Sequence, residues 1–456
     1  MFKDFSDFKN KMNGKKAVVV GVGVSNTPLI KLLCSCGAEV TACDKKSADE
    51  LGEIYNELAG LGVQFKLGES YLSDLEGDYL FKTPGLRFDN ENLIKFSKKG
   101  GTVTSEMEVF FDVCPSKIIA ITGSDGKTTT TTLISEMLKE QGYNVHLGGN
   151  IGKPLLCETP EIKPEDFTVV ELSSFQLQTM KKSADVAVIT NITPNHLDYH
   201  KSMEEYTEAK KNVYKFQNEN GILVLNFDND LTNEIGKSEK RNIRYFSRNH
   251  ALKDGVWLDC KTVKDGENIL IDIERIKLPG LHNVENFMTA YQAVKDFISV
   301  ETFVKVAEEF GGVKHRIEFV RELNGVSFYN DSIASSPTRA QALIDSFYEK
   351  GTKATIICGG YDKKIPFDEF GSEIVKKVKK AYLVGHTAEK IAAAIKNADS
   401  NYDYVILNTL KEAVALAYNE AEKGDVVALC PACASFDFYK NFEERGNLFK
   451  KLVGEL

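Results

Sequence analysis

The run Thr122-Gly123-Ser124-Asp125-Gly126-Lys127-Thr128 sets two glycines, a lysine and a threonine hydroxyl side by side. These are the residue types that hold phosphate. Glycines let the backbone approach an anion closely, and a helix N-terminus offers N–H groups backed by the helix dipole. A lysine adds a point charge, and a threonine hydroxyl can ligate Mg²⁺. An apolar strand from Lys117 to Ile121 leads into the run, and a helix leaves it through five threonines, Thr128 to Thr132. β-Branched residues are middling helix formers, each about 0.5 kcal/mol worse than Ala, so five at one helix start point to a task beyond making helix. The common phosphate loop is longer between its first glycine and its Gly-Lys pair. Only Ser124 and Asp125 intervene here, so a plain strand–helix turn is the competing reading of the motif alone.

Other candidates fall at strand ends. The strand from Thr168 to Val170 ends in Glu171, and that from Asp185 to Thr190 runs into Asn191-Ile192-Thr193-Pro194-Asn195-His196. Ligands of open parallel sheets gather at the carboxyl ends of the strands. Lys127, Thr128, Glu171 and His196 should therefore share one edge. A helix predicted from Met203 to Phe216 adds Tyr206, Lys210 and Lys211. Near the start, a strand from Lys16 to Val20, the turn GVGVSNTP, a helix from Pro28 to Cys36 and a strand from Glu39 to Cys43 ending at Asp44 form a Rossmann-like opening. Asn26 stands where a third glycine would complete the dinucleotide fingerprint. The turn Lys82-Thr83-Pro84-Gly85 either closes over a ligand or is only a turn.

A chain of 456 residues suits about three domains at roughly 150 residues each. Alternating strand and helix signals predict an α/β protein in three domains. The first is Rossmann-like (1–105). The second is a P-loop ATPase-like domain on a mainly parallel sheet (106–311). The third is doubly wound and Rossmann-like (312–456), with strands from Val326 to Tyr329, Ala354 to Cys358, Ala381 to Val384, Tyr404 to Leu407 and Val426 to Leu429. The polar stretch from Asn229 to Ile276 reads as an irregular, β-rich insertion. A net charge of −9 argues against nucleic acid as a partner. No apolar run approaches the ~18 residues of a membrane span. The start, MFKDFSDFKN, lacks the apolar core of a signal peptide. Nine scattered cysteines fit free thiols and a cytoplasmic setting. Cys430 and Cys433, in CPAC, have redox or zinc half-site spacing without a second pair or a nearby histidine, and read as structural thiols.

Taken together, TGSDGKTT, GGNIG (Gly148 to Gly152), ELSSFQL (Glu171 to Leu177), LPGLHNVEN (Leu278 to Asn286), HRIE (His315 to Glu318) and PACASFDFYKNFEERG (Pro431 to Gly446) resemble the Mur ligase family over essentially the whole chain. The last segment is similar to that of the members adding D-glutamate. The resemblance implies an ATP-dependent amide ligase of peptidoglycan precursor synthesis, joining D-glutamate to UDP-N-acetylmuramoyl-L-alanine through an acyl phosphate. It implies ATP held by Gly123, Ser124, Asp125, Gly126, Lys127, Thr128, Thr129, Asn150, Asn283, Asn286, Arg316 and Asp331. It implies two Mg²⁺ ions ligated by Thr128, Glu171 and His196, with a carbamylated Lys210 beside them. The catalytic set would be Lys127, Glu171, His196, Lys210 and Arg316. Ser25, Asn26, Asp44, Thr83 and Gly85 match positions that handle the uridine diphosphate. Ser335, Lys363, Ser435, Phe436 and Phe442 match the D-glutamate site. A monomer is the default, with no nucleic-acid or membrane partner. This sequence departs from the family at Asp125, where Asn is commoner, and the acid is expected to face away from phosphate or to cap the turn. Ile333 replaces a lysine of some relatives, and Cys430 a common serine. The competing readings are a folylpolyglutamate-type ligase and a non-catalytic nucleotide-binding protein. A Rossmann oxidoreductase using GVGVSN and Asp44 is disfavoured by the broken fingerprint.

Overall fold

The computed structural model describes residues 1–23, 26–196 and 199–456. Most of its strands are short Val/Ile-rich runs buried on both faces, such as KAVVV (Lys16–Val20), VAVI (Val186–Ile189), ILVLN (Ile222–Asn226) and VVAL (Val426–Leu429). Such runs suit parallel sheets covered by helices on both sides. The chain divides into two compact units, 1–273 with 285–306, and 274–284 with 307–456.

The first unit carries two sheets. The smaller has the order Gln64–Leu67, Glu39–Asp44, Lys16–Val20, Tyr79–Phe81, Thr102–Thr104, all parallel. Strand order reverses beside Lys16–Val20, which makes a crevice at the carboxyl ends of Lys16–Val20 and Tyr79–Phe81. The larger sheet has nine strands, in the order Asn268–Asp272, Thr262–Asp265, Gly255–Asp259, Asn242–Ser247, Ile222–Asn226, Val186–Ile189, Lys117–Thr122, Phe167–Glu171, Val145–Gly149. Only the pairings within 255–272 are antiparallel. Lys117–Thr122 lies centrally, with Ile121 opposite Glu171 and Thr122 opposite Ile189. That register sets the glycine loop, Glu171 and the 190–196 segment at one edge. One apolar cluster, including Phe8, Leu29, Phe110, Ile118, Leu177 and Leu223, runs through both sheets.

The stretch 229–276 is more regular than its polarity predicts. Asn229 caps the helix Asp230–Ser238, and Asn242–Ser247 and Gly255–Asp259 extend the parallel sheet before the closing hairpin. The helix expected to reach Phe216 ends at Lys211, and the helix after the glycine loop starts at Lys127.

The second unit has a six-stranded sheet: Glu318–Leu323, Val326–Asn330, Val426–Leu429, Thr355–Cys358, Lys380–Leu383, Tyr404–Ile406. All pairings are parallel except the first. That hairpin turns on Asn324 and Gly325, both at positive φ (52° and 82°). Asn-Gly between apolar runs is a strong hairpin signal, and it marks the edge strand Glu318–Leu323 that the alternating pattern did not. No helix among the described residues is long and apolar enough to cross a membrane.

Candidate active site

The loop between Lys117–Thr122 and the helix Lys127–Glu140 depends on Gly123 (φ 145°) and Gly126 (φ 78°). A Cβ on Gly123 would lie 1.9 Å from Thr190 Oγ1, and one on Gly126 2.4 Å from Asn286 Oδ1. Both positions thus require glycine for space as well as for backbone angle. Neighbours fix the loop. Thr190 Oγ1 donates to the Asp125 carbonyl at 2.6 Å, and Asn191 Oδ1 accepts from the Asp125 N–H at 3.0 Å. The Ser124 hydroxyl donates to the Thr193 carbonyl and lies 2.9 Å from Tyr206 OH. Lys127 Nζ folds back on the carbonyls of Gly123 and Ser124 at 3.1 and 3.0 Å. No side chain caps the helix at Gly126, so the N-terminal dipole is not answered by a local acid. Asp125 is exposed and does not cap the turn. Of the five threonines, Thr129, Thr130 and Thr131 are buried, and the Thr130 hydroxyl donates to Asn286 Oδ1 at 3.2 Å. The run is mainly a packed helix face, with Thr128 half-exposed where the loop begins.

Glu171, 1% exposed, ends its strand on the same edge. Asn150 Nδ2 donates to Glu171 Oε1 at 2.9 Å, and the Asn150 N–H donates to the Glu171 carbonyl at 2.8 Å. Asn150 therefore holds the acid. Oε2 is buried with no hydrogen-bond partner. A buried carboxylate oxygen left bare is costly unless a cation takes it. This oxygen, together with the uncapped glycine loop, fits Mg²⁺ and a nucleotide phosphate.

Lys210, also 1% exposed, comes from the helix Met203–Lys211. Its Nζ donates to the Gly123 carbonyl at 2.7 Å and lies 4.5 Å from the centre of the Tyr206 ring. Burial, reinforced by the Lys127 charge, holds its pKa well below that of an ordinary lysine. His196 is exposed, at positive φ (53°), with its ring 5.0 Å from that of Phe175. Among the described residues no three His, Cys, Asp or Glu side chains converge on one point.

At the crevice of the smaller sheet, Asp44 Oδ2 accepts from the Val22 N–H at 2.6 Å and Oδ1 from the Lys46 N–H at 2.9 Å. The Asn26 amide is buried and donates to the carbonyls of Val20 and Gly21. Thr83 packs against Gly21, where an added Cβ would meet its side chain at 3.3 Å. Gly85 is exposed in a turn closed by the Leu86 N–H on the Thr83 carbonyl. These four line one edge, with Asn26 and Asp44 spent on shaping it. Ser25 lies outside the described residues.

In the second unit, Asp331 is 3% exposed, and its Oδ1 accepts from the Ile317 N–H at 3.2 Å. Burial pushes its pKa up to about 7, against the pull of Arg316 and Arg339. Lys363 Nζ reaches the Ser335 carbonyl at 3.3 Å. Ser435 is buried, Phe436 is 64% exposed, and the Phe442 ring sits 5.9 Å from that of His315. Sequence reasoning missed Arg445. Its buried guanidinium donates to Ser332 Oγ (3.0 Å), Ser332 O (2.8 Å), Cys433 O (3.0 Å) and Ala434 O (3.1 Å). One side chain thereby ties the segments bearing Ser335 and Ser435 to the helix Phe442–Gly454. An arginine in FEERG reads as a solvated helix charge; nothing local marks it as buried. All nine cysteines are free. Burial raises the Cys433 thiol to about 11 and holds that of Cys430 well above the ordinary thiol range, as expected of structural thiols. Asn283 and Asn286 share the helix Leu281–Val294, Asn283 in the second unit and Asn286 beside Gly126 in the first.

Residues 121–294 match the model of the Mur ligase middle domain, and residues 315–433 that of the Mur ligase glutamate ligase domain. The chain is 51% identical to the UDP-N-acetylmuramoylalanine–D-glutamate ligase of Acetivibrio thermocellus, covering 99% of this chain and 98% of that protein. It is 49% identical to the ligase of the same name from Clostridium kluyveri, over 100% of both. Among solved structures, the UDP-N-acetylmuramate-alanine ligase of Thermotoga maritima shares the fold, with a TM-score of 0.61 at 18% identity, covering 97% of this chain and 99% of that one. Both family domains and full-length identity near one half agree with the loop, acid and lysine on the central sheet: the chain belongs to the Mur ligase family.

Proposed function

We propose that the chain is an ATP-dependent ligase joining the carboxylate of UDP-N-acetylmuramoyl-L-alanine to the amine of D-glutamate, with release of ADP and phosphate. The relatives that match along the full length are named UDP-N-acetylmuramoylalanine–D-glutamate ligases, which supports this reading. The observation that carries it here is the bare Glu171 Oε2 on the same sheet edge as the uncapped loop.

A carboxylate is a poor acyl donor. Transfer of the γ-phosphoryl group converts it to an acyl phosphate, the D-glutamate amine attacks the acyl carbon, and phosphate leaves. The Lys127 ammonium and the loop N–H groups oppose charge on the moving phosphoryl group. Gly123, Ser124, Asp125, Gly126 and Thr129 shape that cradle. Mg²⁺ would supply further charge neutralisation, held by Thr128 and Glu171, and a second ion by His196. Asn150 orients Glu171. Lys210 acts as a carbamate: its unprotonated amine adds CO₂ and loses a proton, which leaves an oxygen anion of the type Mg²⁺ prefers. Asn283 and Asn286 serve the adenine, Arg316 the phosphates and Asp331 the ribose. Asn26, Asp44, Thr83, Gly85 and Ser25 serve the uridine diphosphate. Ser335, Lys363, Ser435, Phe436 and Phe442 serve D-glutamate.

The test is ADP release by the purified protein with UDP-N-acetylmuramoyl-L-alanine, ATP and Mg²⁺. One ADP should form per amide bond, only when D-glutamate is present. AMP as product, or equal turnover with another amino acid, would overturn the reading.

A further inference from the structure

A cavity of about 860 Å³ lies in the first unit, and none of Gly123 to Thr129, Glu171, His196 or Lys210 lines it. Its size is that of small-molecule sites, which run from roughly 300 to 1,000 Å³. The helix Glu91–Lys98, the strand Thr102–Thr104 and the helix Glu106–Val113 contribute to its walls, together with segments 178–182 and 212–216. Leu93, Val103, Phe111 and Met180 make much of the lining apolar. Phe88, Ile94 and Phe216 also line it, and are 45%, 41% and 46% exposed. Single exposed apolar side chains are ordinary, but three around one cavity mark a contact site.

The charged lining is unbalanced. Lys82, Lys98, Lys181 and Lys182 stand against Glu108 and Asp112. Asp112 is already paired with the Met1 amino group at 2.8 Å and with Lys182 at 3.0 Å. Lys82 is only 3% exposed, and Glu108 accepts from the Ser105 hydroxyl at 3.0 Å. Lys98 and Lys181 are exposed and form no ion pair among the described residues. A positive lining on a chain of net charge −9 selects for an anion. Three lining residues, Thr104, Gln178 and Thr179, also carry a buried oxygen without a hydrogen-bond partner among the described residues.

We infer that this cavity binds a small amphipathic anion, with its apolar part against Leu93, Val103, Phe111 and Met180 and its head group at Lys98 and Lys181. The site is separate from those proposed for ATP and D-glutamate and does not rest on the ligase reading.

Decanoate titrated calorimetrically into the full-length protein provides the test. One saturable site is expected, unaffected by saturating ADP or UDP. Ser97→Trp, from an exposed lining position, should fill the space and weaken binding at least tenfold. Lys98→Glu combined with Lys181→Glu should do the same by reversing charge. All three positions are exposed, so the variants should melt like the parent chain. Absence of saturable binding, wild-type affinity in Ser97→Trp, displacement by ADP or UDP, or equally tight binding of uncharged decanol would each overturn the assignment.

Discussion

Asn150 Nδ2 holds Glu171 Oε1 at 2.9 Å and leaves Oε2 of the same buried carboxylate without a partner. One oxygen is thereby fixed and the other offered. Residues that orient a metal-binding carboxylate typically contribute ~10- to 100-fold to metal affinity. Asn150→Ala should raise the Mg²⁺ concentration needed for half-maximal turnover by about that factor, with most of the maximal rate recovered at saturating Mg²⁺. Glu171→Gln should lose activity that no Mg²⁺ concentration restores. A Mg²⁺ titration of ADP release distinguishes the two.

Lys210 should carry CO₂. Burial holds the pKa of its amine well below that of an ordinary lysine, and an unmodified ammonium would repel Mg²⁺. Lys210→Ala should be nearly inactive, with partial rescue by a small carboxylate such as acetate. Carbamates decompose in acid, so enzyme held in acidic, CO₂-free buffer should lose activity and regain it with bicarbonate. A carbamate carbon signal after ¹³C-bicarbonate labelling would identify the group directly.

Lys127 Nζ lies against the loop carbonyls it would leave for phosphate. Lys127→Ala should lower turnover by roughly 10²-fold, the scale of removing one preorganised electrostatic group. Its melting temperature should stay close to that of the parent chain. A steady-state assay paired with a thermal melt checks both.

Arg445 acts through the segments it ties together. Arg445→Ala should raise the KM for D-glutamate by about tenfold or more and leave the KM for ATP nearly unchanged. It should also lower stability, because the carbonyls of Ser332 and Cys433 lose this donor inside the protein while that of Ala434 keeps the Tyr361 N–H. Arg445→Lys should recover little, since an ammonium lacks the planar fork that reaches several carbonyls at once. Ser435→Ala should raise the same KM without loss of stability.

Glu106 makes a pH prediction about stability. Its carboxyl is buried, accepts from the Leu156 N–H at 2.8 Å, and is pushed by burial up to about 7. The folded pKa lies above the unfolded value of 4.5. The stability contributed by the protonated acid is therefore complete below about 4.5 and is lost as pH rises through about 7. Glu106→Gln mimics the protonated form. It should be more stable than the parent chain at pH 8, by on the order of 2 kcal/mol, and equal to it near pH 4.5. Denaturant melts at the two pH values check the sign.

By itself the sequence determined the layered α/β plan and the identity of the loop. Continuous Val/Ile runs such as KAVVV and VVAL bury both faces, and their period is visible in one dimension. The need for glycine at 123 and 126 was legible because it depends on backbone angle and local spacing. What only the tertiary structure decided depends on partners that folding brings in from other elements. Gly126 must be glycine because Asn286 stands over it, and Glu171 has one bare oxygen because Asn150 takes the other. Arg445 is a buried clamp because Ser332, Cys433 and Ala434 turn their carbonyls toward it. The regular helix and strands within 229–276 were hidden by polar surface residues, and the Glu318–Leu323 edge strand by its mixed sequence, none of which is fully buried. Short-range rules read the chain's own backbone. Burial, and hydrogen-bond partners supplied by other elements, are properties of the folded chain.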